Sequence, residues 1–515
     1  MASGSLAAAQ MAPVALPGRL PSFAAPGHCG APGAVRPLRR SLRPAVRHYT
    51  NGRAPPNGCG RFNAIGDVRV RAEQRTRSAS PTEREKSGDA DLRELQPRGA
   101  SDTAVPYEGG AVADVQAGGG SVLGAASLVA GTTVGAGALA LPAVTEASGF
   151  LPSSLALGLT AVFSAMTGLM IAEVNMRARE DTGESVSLNE MTKLTLGSGG
   201  AAVSSTAYVF LHYCLLVAYL GKGGELVAPL LGLPADGDPL VPEAVFTLLW
   251  GATCYVASDA AMEGINSALV AGVVAAFLAL VVSVAGGVDV SRLAAGDWSA
   301  VPDALPVIAL AFVYQNVVPV ISDSLNNDPK KVRQAILIGS AVPLAMFVLW
   351  DGAVLGTPSE GGDPLVALLN QPGLAGQAAA AFSLLSLVTS FIGFVLGLTD
   401  FAAGILNVPE EDRKRPSAPG RALTFAATLV PPFVASLFLR DVFVKALDYA
   451  GTYGVLMLFG VLPPAMLWRS RYGGVFKDAA GQEELTPGGP AALVAVGAVA
   501  AAIIGREVVQ TISGA

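Results

Sequence analysis

The chain has 515 residues, of which 51% are hydrophobic and only 14% are charged, and its net charge is −6. A soluble globular protein carries roughly 25% charged residues, so this composition indicates an integral membrane protein that has the lipid bilayer as a partner. The sequence has neither a basic face nor a cysteine spacing typical of zinc sites. This excludes nucleic acid as a partner and gives no reason to expect a metal or an organic cofactor.

Residues 1–66 differ in composition from the rest of the chain. They contain no Asp, Glu or Lys, whereas eight Arg residues are scattered among Ala, Pro, Gly and Ser. Such a composition is typical of an organelle transit peptide, and its Pro and Ala content favours a chloroplast; a cytoplasmic tail is the alternative. Residues 67–117 carry charges of both signs with Gly and Pro, which predicts a disordered linker. We expect residues 118–515 to form the membrane domain.

The membrane domain is predicted to be all-α, with eleven transmembrane helices. The apolar segments are 121–145, 151–175, 201–221, 243–258, 265–287, 304–324, 334–356, 376–406, 420–439, 446–468 and 490–511. Lys and Arg concentrate in alternate loops, as at Lys330, Lys331 and Arg333. By the positive-inside rule this bias places the N-terminus on the positively charged side of the membrane.

The first segment carries small residues where a stable helix prefers Leu and Ile. Gly131, Thr132, Thr133, Gly135 and Gly137 crowd its middle. Glycine costs roughly 1 kcal/mol against alanine inside a helix, and interrupted backbone at membrane depth is tolerated only where it is buried in protein or lines a cavity. The pattern predicts a broken helix at a substrate site; close helix packing is the alternative.

The sixth segment contains a second interruption. Phe312, Tyr314, Gln315 and Asn316 lie near its middle, and Pro319 removes a backbone donor shortly afterwards. Interruptions five helices apart are expected of two inverted five-helix repeats with broken helices 1 and 6, followed here by an eleventh helix. Together the two breaks predict a solute transporter.

Five short segments resemble the tryptophan/tyrosine permeases of the hydroxy/aromatic amino acid permease family. They are TVGAGALALP at 133–142, EVN at 173–175, LPVI at 305–308, IGSAVPL at 338–344 and TDF at 399–401. The resemblance implies the amino acid/polyamine/organocation architecture and cation-coupled transport of aromatic amino acids. The N-terminal extension has no counterpart in bacterial members, which favours a multi-pass protein of the chloroplast inner envelope.

An amino acid zwitterion needs hydrogen-bond donors for its carboxylate and acceptors for its ammonium group. N–H groups freed near Gly135 and Gly137, at the start of a half-helix, suit the carboxylate. Carbonyl groups freed near Gly131, Phe312 and Val313 suit the ammonium without a fixed charge at the membrane midplane. The hydroxyls of residues 132 and 133 could add contacts, or could bond back within their own helix.

Aromatic side chains are candidates for the rest of the substrate pocket. Tyr208 and His212 on the third segment share a face with Tyr219, and Phe312 and Tyr314 could stack on an aromatic ring; plain packing is the alternative. An unperturbed histidine titrates near neutral pH, and His212 is the only histidine after residue 66, so it is a candidate proton carrier. A neutral imidazole that hydrogen-bonds the substrate or a neighbouring helix is the other interpretation.

The coupling ion has further candidates. Ser386, Thr389 and Ser390 lie at i, i+3 and i+4 on the eighth segment, where their hydroxyls could bind Na⁺ near the first break or bond back within the helix. Asp351 interrupts an apolar run in the seventh segment. The proton is favoured over sodium as the coupling ion.

The sequence therefore predicts a secondary active transporter of tyrosine or tryptophan that works by cation-coupled alternating access. The alternatives are a transporter of another small amino acid, such as serine or threonine, and a sensor that binds an amino acid without moving it. We do not expect an enzyme, because the nearest candidate for a polar constellation, Asn-Asn-Asp at 326–328, precedes Pro329 in an ordinary loop.

Overall fold

The computed structural model describes residues 120–183, 186–234, 237–357, 364–439, 443–476 and 483–513. Within these ranges the regular structure is helical and contains no β-strand. The predicted transit peptide at 1–66 and the predicted linker at 67–117 lie outside the described residues.

The principal helices follow the predicted segments. In chain order they are α1 (Val122–Thr133), α2 (Gly137–Thr145), α3 (Phe150–Thr182), α4 (Leu188–Val227), α5 (Leu240–Val256), α6 (Asp259–Val284), α7 (Val301–Ala311), α8 (Val318–Ser324), α9 (Pro329–Leu355), α10 (Leu374–Ile405), α11 (Pro419–Phe438), α12 (Phe443–Tyr472) and α13 (Gly489–Ser513). Short helical turns lie at Ala228–Leu231, Val290–Ala294, Pro364–Leu369 and Glu410–Lys414.

Length and hydropathy identify the helices that can cross a bilayer. In the described ranges nine helical segments qualify, with α7 and α8 taken as one, and the bent pair α1 and α2 makes a tenth. Apolar side chains of α3, such as Leu155 (51% exposed), Leu159 (63%) and Val162 (63%), form an outward stripe suited to lipid. The prediction of an all-α, multi-pass membrane protein is confirmed. The 17 residues of α5 fall short of a span, so an eleventh crossing stays a prediction, as does the inverted repeat.

One helix boundary differs clearly from the prediction. The third apolar segment was expected at 201–221, whereas α4 begins at Leu188. Ser187 and Glu190 form a capping box there, in which each side chain accepts a hydrogen bond from the backbone N–H of the other. These capping residues begin a helix in polar sequence that hydropathy alone leaves out. Gly197 (φ 74°, ψ −167°) then interrupts α4, and the predicted segment corresponds to the part after this kink.

Small residues allow the helices to approach closely. The added Cβ of an alanine at Gly339 on α9 would lie 2.4 Å from Val129 Cβ and 2.7 Å from the Ala126 carbonyl oxygen on α1. Glycine at this position therefore lets α9 pack directly on the backbone of α1, as small residues do between membrane helices. This contact fixes α1 laterally and positions its broken end.

A buried ion-pair network joins α3 to α12. The Glu173 carboxylate accepts hydrogen bonds from the guanidinium groups of Arg177 (2.9 Å) and Arg471 (2.6 and 2.7 Å). The backbone N–H groups of Leu485 and Thr486 also donate to it, each at 3.1 Å. The Glu173 side chain is 1% exposed, so these partners replace the water that the carboxylate loses. The network holds α3, α12 and the segment before α13 together at the predicted positive side.

Candidate substrate-binding site

The first predicted break is present between α1 and α2. The two helices are bent by 57°, and Val134, Gly135 and Ala136 connect them. The N–H group of Ala136 donates to Ser390 Oγ on α10 at 2.8 Å. The N–H groups of Gly135 and Gly137 donate no hydrogen bond to any described residue. Two backbone donors are therefore free at the start of α2, where the helix dipole favours an anion.

Glycine is required in this break by its neighbours. A Cβ at Gly135 would lie 2.5 Å from Ser390 Oγ, and a Cβ at Gly137 would lie 3.1 Å from Ala311 Cα on α7. A Cβ at Gly131 would meet nothing within 4 Å. The first two glycines thus permit close packing against α10 and α7, and the third leaves open space beside the broken end of α1.

The second predicted break separates α7 from α8 and is held by α3. The Gln315 Nε2 atom donates to Ser164 Oγ and to Thr167 Oγ1, each at 3.0 Å. Ser164 Oγ donates to the Phe312 carbonyl oxygen at 2.7 Å, and the Tyr314 hydroxyl donates to the Ser164 carbonyl oxygen at 3.1 Å. The polar cluster predicted from the sequence is therefore buried, and these bonds keep the chain from continuing as a helix.

A cavity of about 80 Å³ lies between the two breaks. No Asp, Glu, Lys, Arg or His is among the described residues that line it. The lining residues are Gly131, Thr132, Thr133, Val134, Gly135, Ala136, Gly137, Leu211, Tyr219, Asn266, Val270, Leu310, Ala311, Val313, Asn316, Thr389, Ser390, Gly393 and Phe394. The structure thus brings the glycines and threonines of the first break together with Asn316 and with two of the three hydroxyl residues of α10 that were predicted as sodium ligands, Thr389 and Ser390.

Three predicted site residues lie behind the cavity wall. Phe312, Tyr314 and Gln315 are buried but do not line the cavity. The Phe312 ring packs against Phe347, with ring centroids 5.2 Å apart. Val313, between them, does line the cavity, and its carbonyl group accepts no backbone hydrogen bond from a described residue.

The hydroxyl groups near the first break are mostly used within their own helices. Thr132 Oγ1 and Thr133 Oγ1 donate to carbonyl groups four residues earlier, at 2.8 and 2.7 Å. Thr389 Oγ1 donates to the Ser386 carbonyl at 2.9 Å. The Ser386 hydroxyl is buried without a partner among the described residues, but it does not line the cavity. Ser390 is the hydroxyl that reaches across to the break.

His212 and Tyr208 lie one layer away from the cavity. His212 Nδ1 donates to the Tyr208 carbonyl oxygen at 2.8 Å, four residues earlier on α4. Its ring packs on the rings of Tyr208 and Phe394, with centroid distances of 3.9 and 5.0 Å. Phe394 lines the cavity, whereas His212 and Tyr208 do not. Tyr219 on the same helix does line it.

Asp351 is fully buried where α9 meets the end of α2. Its Oδ1 atom lies 2.6 Å from Thr145 Oγ1, and its Oδ2 atom has no partner among the described residues. Thr145 Oγ1 also lies 2.7 Å from the Leu141 carbonyl oxygen. A hydroxyl has one hydrogen, so both short contacts are satisfied together when Asp351 itself carries a proton and donates it to Thr145.

A second, larger cavity is separate from the breaks. It has a volume of about 330 Å³, and its wall includes Glu146, which follows Thr145 in the chain, and Val354, which lies three residues after Asp351. Its carboxylates are exposed or capping groups; the Ser299 hydroxyl and N–H donate to Asp297 and hold the pKa of that carboxyl below its usual range. The smaller cavity is the candidate substrate site, because it has the free backbone groups that a zwitterion needs.

The remaining predicted polar groups have structural roles. Asp328 accepts hydrogen bonds from the N–H groups of Lys330 and Lys331 and so caps α9. The segment at 326–328 is therefore a helix-capping loop. Sequence analysis overlooked Asn266, a buried amide on the cavity wall. An amide within a very apolar segment was the signal that could have identified it.

Comparison with known proteins agrees with this architecture. The profile of the tryptophan/tyrosine permease family matches residues 119–504. The chain is 31% identical over 373 residues to the tyrosine-specific transport system 2 of Haemophilus influenzae, covering 68% of this chain and 87% of that protein. It is 30% identical over 376 residues to the tryptophan-specific transport protein of the same organism, covering 67% and 87%.

A relative named for a different amino acid is also similar. The glutamine transporter 2 of Aliivibrio fischeri is 21% identical over 350 residues, covering 67% of this chain and 88% of that protein. The family match covers the described residues except 505–513 at the end of α13. The chain therefore belongs to the tryptophan/tyrosine permease family, whose members are membrane transporters of amino acids and not enzymes.

Proposed function

We propose that this protein is a secondary transporter of an aromatic amino acid, tyrosine or tryptophan, and that it works by alternating access. The observation that carries the proposal is the cavity between two interrupted helices, which has free backbone groups and no charged side chain in its described wall. Broken helices around a central site are the usual construction of such transporters. The names of the relatives above support the substrate class.

The free backbone groups match the two charges of an amino acid. The substrate carboxylate accepts hydrogen bonds from the N–H groups of Gly135 and Gly137 at the start of α2, where the helix dipole adds a favourable field. The ammonium group donates to the carbonyl groups at Gly131 and Val313. The apolar side chains of Leu211, Phe394 and their neighbours then receive the ring.

The architecture proposed for transport has eleven membrane crossings. In it α5 crosses as a short helix, α1–α2 and α7–α8 are the broken first and sixth spans, and α13 is the eleventh. Two five-helix repeats of opposite orientation, with the site at their interface, give the symmetry that alternating access uses.

We propose the proton as the coupling ion and Asp351 as its carrier. Among the described residues, the hydrogen-bond partner of Asp351 is Thr145, and the Oδ2 atom has none. An ionised carboxylate at this buried position would lack a balancing cation from these residues, so the packed arrangement favours the protonated form. The neighbouring 330 Å³ cavity supplies water for proton exchange.

Helix α2 joins the proposed proton site to the proposed substrate site. It begins at Gly137 in the substrate cavity and ends at Thr145 on Asp351. Loss of the proton leaves a buried charge, which favours hydration of the carboxylate and separation of α2 from α9. The substrate and the proton thus act on opposite ends of one half-helix. His212, bonded to its own helix, and the hydroxyls of Ser386, Thr389 and Ser390, which would bind Na⁺, are the competing carriers.

We place the protein in the chloroplast inner envelope, with the acid-free residues 1–66 as the transit peptide. Import of a fluorescent fusion of residues 1–66 into isolated chloroplasts tests whether this segment is a transit peptide, and fusion protein that stays outside and is digested by added protease would contradict it.

Exchange in liposomes tests the transport proposal. The full chain is reconstituted in liposomes, each batch loaded with one unlabelled amino acid, and entry of the same labelled amino acid is measured for tyrosine, tryptophan, serine, threonine and glutamine. Exchange of an aromatic amino acid is expected. Exchange confined to serine, threonine or glutamine would assign another substrate, and ligand binding without any exchange would identify a sensor.

A further inference from the structure

Asn266 has a buried side-chain amide without a hydrogen-bond partner among the described residues. It lies on α6, whose other buried residues are apolar, and its side chain is 3% exposed. Neither its Nδ2 nor its Oδ1 atom has a hydrogen-bond partner in the described ranges. Leaving such an amide buried and unpaired costs free energy that a leucine of similar size would not. A ligand that pairs with both atoms would recover this cost.

The amide forms part of the wall of the substrate cavity. Val270, one turn further along α6, also lines it, as do Leu211, Tyr219 and Phe394. These side chains surround the Asn266 amide with apolar and aromatic groups; the other amide that lines the cavity, Asn316, belongs to the second break. Because the free backbone groups at the two breaks suit the main-chain charges of the substrate, the amide is available to the substrate side chain.

The chemistry of an amide selects the group it recognises. Its Oδ1 atom accepts and its Nδ2 atom donates, so a partner that does both satisfies it completely. A phenolic hydroxyl does both, whereas an indole N–H only donates and a phenyl ring does neither. The glutamine side chain also does both, but the aromatic wall favours a ring.

We propose that Asn266 is a specificity-determining residue that hydrogen-bonds the phenolic hydroxyl of tyrosine and so selects tyrosine over tryptophan and phenylalanine. This rests on the proposed function, because it requires an aromatic amino acid in the cavity. A site built to hydrogen-bond a substrate hydroxyl rejects the analogue that lacks it, since its own polar groups are then left unpaired.

Tyrosine and phenylalanine differ only in the hydroxyl, so their ratio isolates this contact. In liposomes containing the full chain, we would measure kcat/KM for uptake of each, with tryptophan and glutamine alongside. The wild-type protein is expected to prefer tyrosine. Asn266→Leu should reduce the tyrosine-to-phenylalanine ratio by about ten- to a hundredfold, the effect of leaving buried polar groups unpaired. Val270→Ala, on the same helix and the same wall, should leave that ratio unchanged.

The outcomes separate the two proposals. Aromatic uptake with a ratio that Asn266→Leu does not alter would overturn the assignment of Asn266 alone. A change in glutamine uptake with no change in the tyrosine-to-phenylalanine ratio would also overturn it and would point to an amide substrate. Absence of any aromatic uptake by folded wild-type protein would overturn the proposed function and this inference together. Asn266→Ser, which keeps a donor and an acceptor, should give an intermediate ratio, and it decides the matter if the leucine variant does not fold.

Discussion

Replacement of Gly135 by alanine tests whether the first break is held by α10 in the way described. The backbone of Gly135 is not in the left-handed region, so alanine is allowed there and the effect comes from packing. The new Cβ would lie 2.5 Å from Ser390 Oγ, far inside a normal contact. Relief requires Ser390 to turn away and to release its 2.8 Å hydrogen bond from the Ala136 N–H.

The structure gives the size of this effect. Overpacking of a close site costs about 1–3 kcal/mol, and a buried N–H left without an acceptor costs about 1–3 kcal/mol. Because turning Ser390 away relieves the overpacking and loses the hydrogen bond, the two costs are alternatives, and Gly135→Ala should destabilise the protein by roughly 1–3 kcal/mol. A lower thermal unfolding midpoint of the purified variant in detergent would show the loss of stability. Exchange of labelled tyrosine would show whether the substrate site still functions.

Two matched variants make this prediction specific. Ser390→Ala removes Oγ, and Ser390 Cβ would be 3.8 Å from the new methyl group, an ordinary contact. Gly135→Ala should therefore cost almost nothing in the Ser390→Ala background. Gly131→Ala adds the same methyl where nothing lies within 4 Å, and should leave the midpoint unchanged or raise it. If Gly135→Ala lowers the unfolding midpoint equally in both backgrounds, the clash with Ser390 is not the cause of the effect.

Three further predictions follow from buried polar groups. Asp351→Asn, which imitates the protonated acid, should retain tyrosine exchange but lose accumulation driven by a pH gradient; retained accumulation would exclude Asp351 as the carrier. Because the protonated form is the one that packs, wild-type uptake should rise as the pH on the 330 Å³ cavity side falls, and the profile of Asp351→Asn should be flat. His212→Gln should keep the pH dependence of the wild type, and a flattened profile would transfer the carrier role to His212. Glu173→Gln should lower stability by roughly 3–5 kcal/mol, because Arg471 keeps a buried charge without its main partner; an unchanged unfolding midpoint would contradict this.

The breaks could be predicted because their causes are local. Glycines at 131, 135 and 137 and the polar run after Phe312 are unfavourable in a membrane helix wherever it packs, so the sequence alone identified both positions. The contacts that those residues make could not be predicted from the sequence in the same way. Whether Gln315 faces a substrate or α3 depends on Ser164 and Thr167, which lie some 150 positions away in the chain.

Helical periodicity could not predict which residues line the cavity. Tyr208, His212 and Tyr219 share one face of α4, as predicted, yet only Tyr219 reaches the cavity. Phe394 of α10 packs against the His212 ring and lines the cavity, whereas His212 does not. Asn266 gave a signal in sequence, a lone amide in an apolar helix, but its lack of a partner is visible only once α6, α1 and α10 are packed together.

Uptake of tyrosine driven by an ion gradient, measured with the reconstituted full chain, tests proton-coupled transport. Liposomes with an imposed pH gradient, acidic outside, are compared with liposomes that have an inward sodium gradient at equal pH, and a protonophore is added as the control. We expect concentrative tyrosine uptake with the pH gradient, loss of that uptake with the protonophore, and only equilibration with sodium. Concentrative uptake with sodium alone would contradict proton coupling, and absence of aromatic amino acid flux in folded protein would contradict the transporter itself.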